Sequence, residues 1–409
     1  MKICFVCDSY KPLYDGVVRY LDYVIPALVE AGHTVTLVCP RYQGCEKYEY
    51  PYEGLTVVRC TSTRIVNQGY ELALPDFRLL KALKEADFVV IHSLMFLGGL
   101  GALIARAMRK KIGIFIHQDE RLILRNVLDT PQMWINVSIG VLSKIIYPLI
   151  MDCFLYATER FKEKLIDLGV PKEKIFHTPF AINQEQFHPG SFLVDVRKRH
   201  KIPKDAVVSV YVGRLAKEKN IRNMLDGFNR AAEEQPNLYG LFVGGGPDWD
   251  HYTSLEWKNK DKMIFTGFVP DEELQSHYVA ADFFLSPSIN ESQCFTVFEA
   301  MSCKIPVITS EYRHDPDVIH LENAVLVDNL MSPEEIRDYI LLLARDENLR
   351  KKIGQNGYDL IKDRTWAYHA KEFEKGMKFA LNYDLSKKRF KAMRNTKYRY
   401  PPKKESKKK

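Results

Sequence analysis

K-I-C-F-V-C-D-S-Y-K-P-L-Y-D-G-V-V-R-Y-L-D-Y-V-I-P-A-L-V-E-A-G-H-T-V-T-L-V-C, from Lys2 to Cys39, is the stretch that decides the fold. Lys2 to Cys7 is a short β-rich run, and Tyr10 to Asp15 holds loop residues. From Gly16 to Glu30 the apolar residues Val18, Leu21, Val24, Ile25 and Leu28 recur at helical spacing, and Gly32 stops the pattern. Pro26 works against this helix, because it removes a backbone donor and crowds the preceding turn. Thr34 to Cys39 is a second strand. Strand, helix and strand make a βαβ unit, whose first loop lies at the strand's carboxyl end, where open parallel sheets bind ligands.

The same alternation continues outward. Strands are expected at Phe88 to Ile91 and Gly113 to Ile116, with a helix over the small, apolar segment Leu94 to Met108. The pattern restarts near residue 207. Val207 to Val212 is a strand ending in Gly213-Arg214, Ile221 to Glu234 is a helix, and Leu238 to Val243 is a strand ending in Gly244-Gly245-Gly246-Pro247. Short strands follow at Met263 to Phe265, Phe283 to Leu285 and Val307 to Thr309, and Tyr368 to Ala380 is a closing helix. The reading is α/β, with two doubly wound Rossmann-like domains facing each other. The expected boundaries are 1–185, 186–365, a C-terminal helix over 366–384 and a basic tail over 385–409.

Composition agrees. A chain of 409 residues is too long for one ordinary core, and 46% hydrophobic with 27% charged residues is the balance of a globular protein. Met1-Lys2 leads straight into a strand rather than a secretion signal, and the eight scattered cysteines suit a cytoplasmic protein. Cys4 and Cys7 form a C-x-x-C, but their odd separation in a strand puts the thiols on opposite faces. The net charge of +7 is uneven: Leu385 to Lys409 holds nine Lys and three Arg against one Glu, a net +11, which leaves −4 for the body. Such a polycation binds anionic lipid headgroups or nucleic acid, or is simply a solvated end. The most apolar stretch, Thr130 to Met151, is interrupted by Asn136, Lys144 and Pro148 and does not read as a membrane span.

Two constellations carry chemistry. In S-P-S-I-N-E-S-Q-C-F-T-V-F-E-A-M, Ser286 to Met301, Glu291 and Glu299 lie eight apart across a loop-to-helix transition. The amides of Phe295 to Val297 would sit at a helix N-terminus, which attracts phosphate. Glu299 could then accept from ribose hydroxyls and Glu291 could reach a sugar. The spacing suits equally two carboxylates that only complement the helix dipole. In V-G-R-L-A-K-E-K-N, Val212 to Asn220, Arg214 and Lys219 follow a strand and could neutralise a diphosphate, although a solvated basic turn has the same letters. The glycines Gly244 to Gly246 suit a close ligand approach or an ordinary tight turn.

Taken together, these pieces resemble the glycosyltransferase family 4 proteins of the GT-B fold, which are retaining enzymes. The resemblance runs from the first strand to about residue 380. It is carried by G-x-x-R-Y at Gly16 to Tyr20, His92-Ser93, His117, G-R-L-x-x-E-K at Gly213 to Lys219 and G-G-G-P at Gly244 to Pro247. It continues through G-F-V-P-D-E-E-L-Q-S-H-Y-V-A-A-D at Gly267 to Asp282 and Glu291-x7-Glu299. The resemblance implies that Arg214 and Lys219 hold the donor diphosphate, Glu299 the ribose and Glu291 the transferred sugar. It places the amides around Phe295 and Thr296 at the phosphate and the backbone near Phe268 at the base. Gly16 would let the first loop approach the donor, His117 would sit near the reacting carbon, and His92 would lie on the acceptor side.

The sequence also departs from the family pattern. Asp15-Gly16 stands where many members have two glycines, Ser292-Gln293-Cys294 replaces a glycine-containing step, and Pro179-Phe180-Ala181-Ile182-Asn183 replaces a P-N-G-V-D-like run. The donor is therefore expected only as a UDP- or GDP-linked hexose, a substrate rather than a cofactor. No metal is expected, and Asp315-Pro316-Asp317 reads as a turn. The favoured acceptor is a membrane lipid, with the basic tail meeting an anionic cytoplasmic membrane face; the Trp-containing segment Gln132 to Leu149 reads as a second membrane contact or as a buried helix of the first domain. The alternatives are a soluble transferase building a polysaccharide or glycoside, a nucleotide-sugar epimerase, and a sugar-nucleotide-binding protein whose tail binds nucleic acid.

Overall fold

The computed structural model describes residues 1–13, 15–64, 71–94, 96–117, 149–190, 192–289, 295–310 and 317–382. The chain forms two compact units, 1–178 with 370–409, and 179–369.

The first unit carries β1 (Lys2–Val6), α1 (Gly16–Glu30), β2 (Thr34–Pro40), β3 (Tyr48–Tyr52), β4 (Leu55–Cys60), β5 (Ser62–Arg64) and β6 (Glu71–Ala73). It continues with α2 (Phe77–Glu85), β7 (Phe88–Ile91), α3 (Phe96–Ala107), β8 (Lys111–Ile116), β9 (Cys153–Tyr156), α4 (Glu159–Asp167) and β10 (Ile175–His177). Eight strands form one sheet in the order β10-β9-β8-β7-β1-β2-β4-β3, parallel except for the edge strand β3. The strand order reverses beside β1, which pairs with β2 on one side and β7 on the other. The loops after β1 and β7 therefore lie at the switch point of a doubly wound sheet.

Helix α1 begins where Asp15 Oδ1 accepts from the amides of Val17 and Val18, both at 2.9 Å. It ends in a Schellman cap: Gly32, at φ +86°, donates to Val29 O, and His33 donates to Leu28 O. Pro26 sits inside it without ending it. Seven buried side chains, Val18, Tyr20, Leu21, Val24, Ile25, Ala27 and Leu28, hold it to the sheet. At roughly 1.5–3 kcal/mol for each large side chain, that burial outweighs the roughly 3 kcal/mol cost of the proline. Cys4 and Cys7 are both buried and free; Cys7 Sγ lies 4.0 Å from Ser9 Oγ, and burial pushes the Cys4 thiol up to about 12.

The second unit carries β11 (Val207–Val212), α5 (Ile221–Glu234), β12 (Leu238–Val243), β13 (Met263–Gly267), α6 (Asp271–Val279), β14 (Phe283–Ser286) and α7 (Phe295–Ser302). β15 (Val307–Ser310), β16 (Val325–Val327), α8 (Pro333–Arg345) and α9 (Glu347–Ile361) follow, and α10 (Trp366–Asn382) runs from the second unit into the stretch that belongs to the first. Its sheet is wholly parallel, in the order β13-β12-β11-β14-β15-β16, and reverses between β11 and β14. One core cluster gathers Met224, Leu225 and Phe228 of α5 with Phe242, Phe283, Leu285 and Ile308 of the sheet.

The closing helix α10 straddles the boundary between the stretches 179–369 and 370–409. Phe373 and Met377 are fully buried, and the Phe373 ring stands 6.0 Å from Phe5 and 6.4 Å from Phe115 in the first sheet. Glu374 pairs with His33 at 3.0 Å. The pattern of apolar residues announces the helix; only the tertiary structure says that its C-terminal part covers the first sheet.

Helices α5 and α8 meet at Gly227, where an added Cβ would come 2.8 Å from Ile336 Cγ2 and 2.9 Å from Pro333 O. Alanine at this position gains about 1 kcal/mol of helix propensity but overpacks the contact by about 1–3 kcal/mol. Gly227→Ala is therefore expected to lower the urea midpoint of the second unit; a raised midpoint would show that the helices part freely.

Candidate functional site

In the second unit, the loops leaving β11 and β12 are joined backbone to backbone. Gly213 N donates to Val243 O at 3.0 Å, Leu215 N to Gly245 O at 2.8 Å, and Gly244 N to Gly267 O at 2.8 Å. This zipper leaves no room for side chains. A Cβ on Gly244, which has φ +117°, would fall 2.2 Å from Gly213 O, and one on Gly246 would fall 2.5 Å from Leu215 O. The glycine run is thus required first by packing. Its consequence is to fix the backbone that presents Arg214, which is exposed, and Phe268, which is 83% exposed at the end of β13.

Lys219 lies in the short 3₁₀ turn Lys217–Lys219, and the next residue locks that turn. Asn220 adopts the left-handed conformation at φ +59° and is buried. Its Nδ2 donates to Pro287 O at 3.0 Å and Leu330 O at 2.7 Å, while its Oδ1 accepts from Asn223 Nδ2 at 2.7 Å. Asn220 therefore ties the loop after β11 to the loop after β14, the two loops of the switch point. The sequence motif contains Asn220, but nothing in its spacing reveals the partners 67 and 110 residues away.

Helix α7 starts at Phe295, which packs edge-on against Phe180 at 5.4 Å. Its first turn holds the amides of Phe295 and Thr296, and one turn inside lies Glu299, only 1% exposed. A buried carboxylate needs donors, and the Tyr278 hydroxyl of α6 supplies one at 2.7 Å to Glu299 Oε2. Tyr278 is itself fully buried and held edge-on by Phe187. It had no signal in the sequence beyond its place in the G-F-V-P run. Glu291 lies outside the described residues, as do Asp315 and Pro316; Asp317 pairs with Arg364 at 2.8 Å.

In the first unit, Asp8 at the end of β1 accepts from the Ser93 hydroxyl, from Leu97 N at 2.7 Å and from Gly98 N at 3.3 Å. It caps α3 from 89 residues away, a partnership that sequence reading missed. Asp15 caps α1 and also accepts from Ser9 Oγ at 3.0 Å. Gly16 is the first residue of α1, and a Cβ there would meet nothing within 4 Å. The fold does not itself require glycine at that point.

His92 follows β7 and His117 follows β8, so these adjacent parallel strands deliver both histidines to one carboxyl edge. The structure brings them into direct contact, with His92 Nδ1 2.8 Å from His117 Nε2. Both are buried, at 3% and 5% exposure. Phe5 lies 4.6 Å from the His92 ring, and Tyr20 lies edge-on to His117 at 4.8 Å. Burial pushes His92 down to about 3, which keeps it neutral at ordinary pH. The basic tail and nearly all of the segment from Gln132 to Leu149 lie outside the described residues, and among the described residues no helix is long and apolar enough to cross a membrane.

Comparison with known proteins bears on this arrangement. Residues 14–186 match the family described as Glycosyltransferase Family 4, and residues 195–360 match Glycosyl transferases group 1. A Bacillus subtilis (strain 168) glycosyltransferase named for teichuronic acid biosynthesis, TuaC, is 33% identical over 336 residues, covering 76% of this chain and 81% of the relative. The alpha-monoglucosyldiacylglycerol synthase of Acholeplasma laidlawii is 27% identical over 321 residues, covering 75% of this chain and 80% of that protein. In structure, sucrose-phosphate synthase from Thermosynechococcus elongatus superposes with a TM-score of 0.71 at 19% identity, over 92% of this chain and 98% of that one. With two parallel Rossmann-like sheets and both halves matched, the chain belongs to glycosyltransferase family 4 and is a glycosyltransferase of the GT-B fold.

Proposed function

We propose that the chain moves a hexose from a UDP- or GDP-linked donor to an acceptor with retention of anomeric configuration, and that the acceptor is a membrane lipid. The observation that carries the donor half is the buried Glu299–Tyr278 pair one turn inside α7, with the first-turn amides of that helix preceding it. A carboxylate held in this way is fixed in position to accept from ribose hydroxyls, while the helix N-terminus favours phosphate. Asn220 keeps the Lys219 turn against the loop that leads to this helix. Arg214 and Lys219 supply positive charge against the leaving nucleoside diphosphate, and stabilisation of that developing charge lowers the barrier. Phe268 and the backbone beside it frame the base. In the first unit, Gly16 leaves space at a helix start for the donor, and His117 contacts the transferred sugar. Glu291 is assigned to the same sugar.

The lipid acceptor is supported by the name of the Acholeplasma relative and by the net charge of +11 over Leu385 to Lys409, which suits an anionic surface. The name of the Bacillus relative favours a second reading, a polysaccharide-type acceptor.

Thermal-shift and donor-hydrolysis screening across UDP- and GDP-sugars tests the donor half. One donor is expected to stabilise the wild type, with Arg214→Ala and Glu299→Gln weakening that donor by about 10–100-fold, the loss of one charge-assisted hydrogen bond each. Glutamine keeps an acceptor oxygen for Tyr278, so a loss of donor response without a loss of stability isolates the ribose contact. No response to any donor overturns the reading. EDTA is expected to leave transfer unchanged, since Arg214, Lys219 and helix amides do the neutralising; abolition by EDTA with rescue by a divalent ion would assign that task to a metal. Deleting Leu385 to Lys409 is expected to remove binding to anionic liposomes and to lower transfer to a diacylglycerol acceptor. Undiminished binding ends the tail's role, and full activity on soluble acceptors without lipid replaces the lipid by a glycan.

A further inference from the structure

The contact between the two strand-end histidines contains more information than their positions. Two ring nitrogens 2.8 Å apart share one proton: two N–H groups would repel, and so would two lone pairs. Either His92 Nδ1 donates to His117 Nε2, or the reverse. The rest of the His92 ring decides between them. Its Nε2 is buried and, among the described residues, has no hydrogen-bond partner. The ring is enclosed by Phe5 at 4.6 Å, Tyr20 at 5.9 Å and Phe115 at 6.2 Å, with His117 completing the shell. Tyr20 and His117 are the titratable groups among these, and Tyr20 stays neutral because burial raises its phenol well above the usual range. If His117 were the donor, a neutral His92 would carry its proton on Nε2, leaving a buried N–H with no acceptor. If His92 is the donor, Nε2 is a bare lone pair. Orphaned buried N–H groups are the rarer case.

We propose that His92 is a positioning residue: it donates its Nδ1–H to His117 Nε2 and thereby fixes His117 as the tautomer protonated on Nδ1. His117 then carries its proton on Nδ1 at the end of β8 and does not serve as a proton acceptor through Nε2, which is already occupied. This assigns a definite chemistry to the strand-end histidine. A donor to a sugar hydroxyl, or to charge developing on the transferred sugar, is compatible with it; a general base acting through Nε2 is not. The tautomer rests on geometry alone, while its effect on transfer rests on the function proposed above. His92 itself reaches no substrate in this scheme. It works from within the aromatic shell, as a buried partner on the far nitrogen orients an imidazole elsewhere.

The direct test is long-range nitrogen–proton NMR on the full chain with ¹⁵N-labelled histidine imidazoles. Both His92 and His117 are expected to show the pattern of a neutral ring protonated on Nδ1. A His92 ring protonated on Nε2 would overturn the proposal, whatever the enzyme's activity. Two variants add the functional readout. His92→Phe keeps the ring volume and removes the donor; His92→Asn returns an amide N–H near the lost Nδ1. Turnover is expected to fall about tenfold in His92→Phe with the donor KM within about twofold, and to recover most of that loss in His92→Asn. An unchanged His117 spectrum and turnover in His92→Phe would remove His92 from any positioning role. If the wild type transfers from no UDP- or GDP-sugar, the proposed function fails while the NMR experiment still reads the tautomer.

Discussion

The backbone zipper at the carboxyl edge of the second sheet is the constraint on which the loops of the second unit depend. Parallel strands normally diverge into their loops as soon as the ladder ends. Here the hydrogen bonding continues past the strand ends, from Gly213 to Val243, from Gly244 to Gly267 and from Leu215 to Gly245. Two chains this close cannot both carry side chains, as the 2.2 Å approach of a Cβ on Gly244 to Gly213 O makes plain. Fixing three loop backbones in this way removes the conformational freedom that would otherwise blur the positions of Arg214 and Phe268. A site that must stabilise charge at one place gains from loops that do not reorganise.

Both halves then use buried or half-buried polar side chains as struts. In the second unit these are Asn220, bridging to Pro287 and Leu330, and Tyr278, bridging to Glu299. In the first they are Asp8, holding the start of α3, and the His92–His117 pair. Such contacts are costly when incomplete, because the low dielectric that strengthens a satisfied hydrogen bond penalises an unsatisfied group. They consequently specify one arrangement. Apolar packing behind them is tolerant of small shifts, whereas a carbonyl 2.7 Å from an amide nitrogen is not.

Much of this architecture was legible residue by residue. The span of α1 from Gly16 to Glu30, the strands β7, β11 and β12 and the helix α5 coincide with their sequence readings, since each combines an apolar period with a cap, glycine or polar break at its ends. The hairpin of β3 and β4, the edge strand β10 and its neighbour β9 were not read. Tyr48 to Tyr52 is mostly exposed and lacks an apolar alternation, and β9 and β10 are four and three residues long. Too few residues carry a period there. Asp15 could be read as a cap from its place before the helix; Asp8 could not, because its partners are in a helix that begins at Phe96.

The sequence by itself determined the fold class, the two α/β halves, the family and the residue types on which the proposed donor site is built: an Arg, a Lys, a helix N-terminus and a carboxylate inside it. These are local facts, written in spacing and in motifs a few residues long. The tertiary structure decided what each of them touches. It gave the glycine run a packing duty, made Asn220 a bridge and joined Glu299 to Tyr278. It laid the end of α10 on the first sheet and set two histidines 25 residues apart at hydrogen-bonding distance. The physical reason is that parallel sheets order their strands by crossovers and not by sequence, so neighbours at the carboxyl edge arrive from distant segments. Spacing along the chain encodes which side chains are present there, and only strand order and register encode which of them meet.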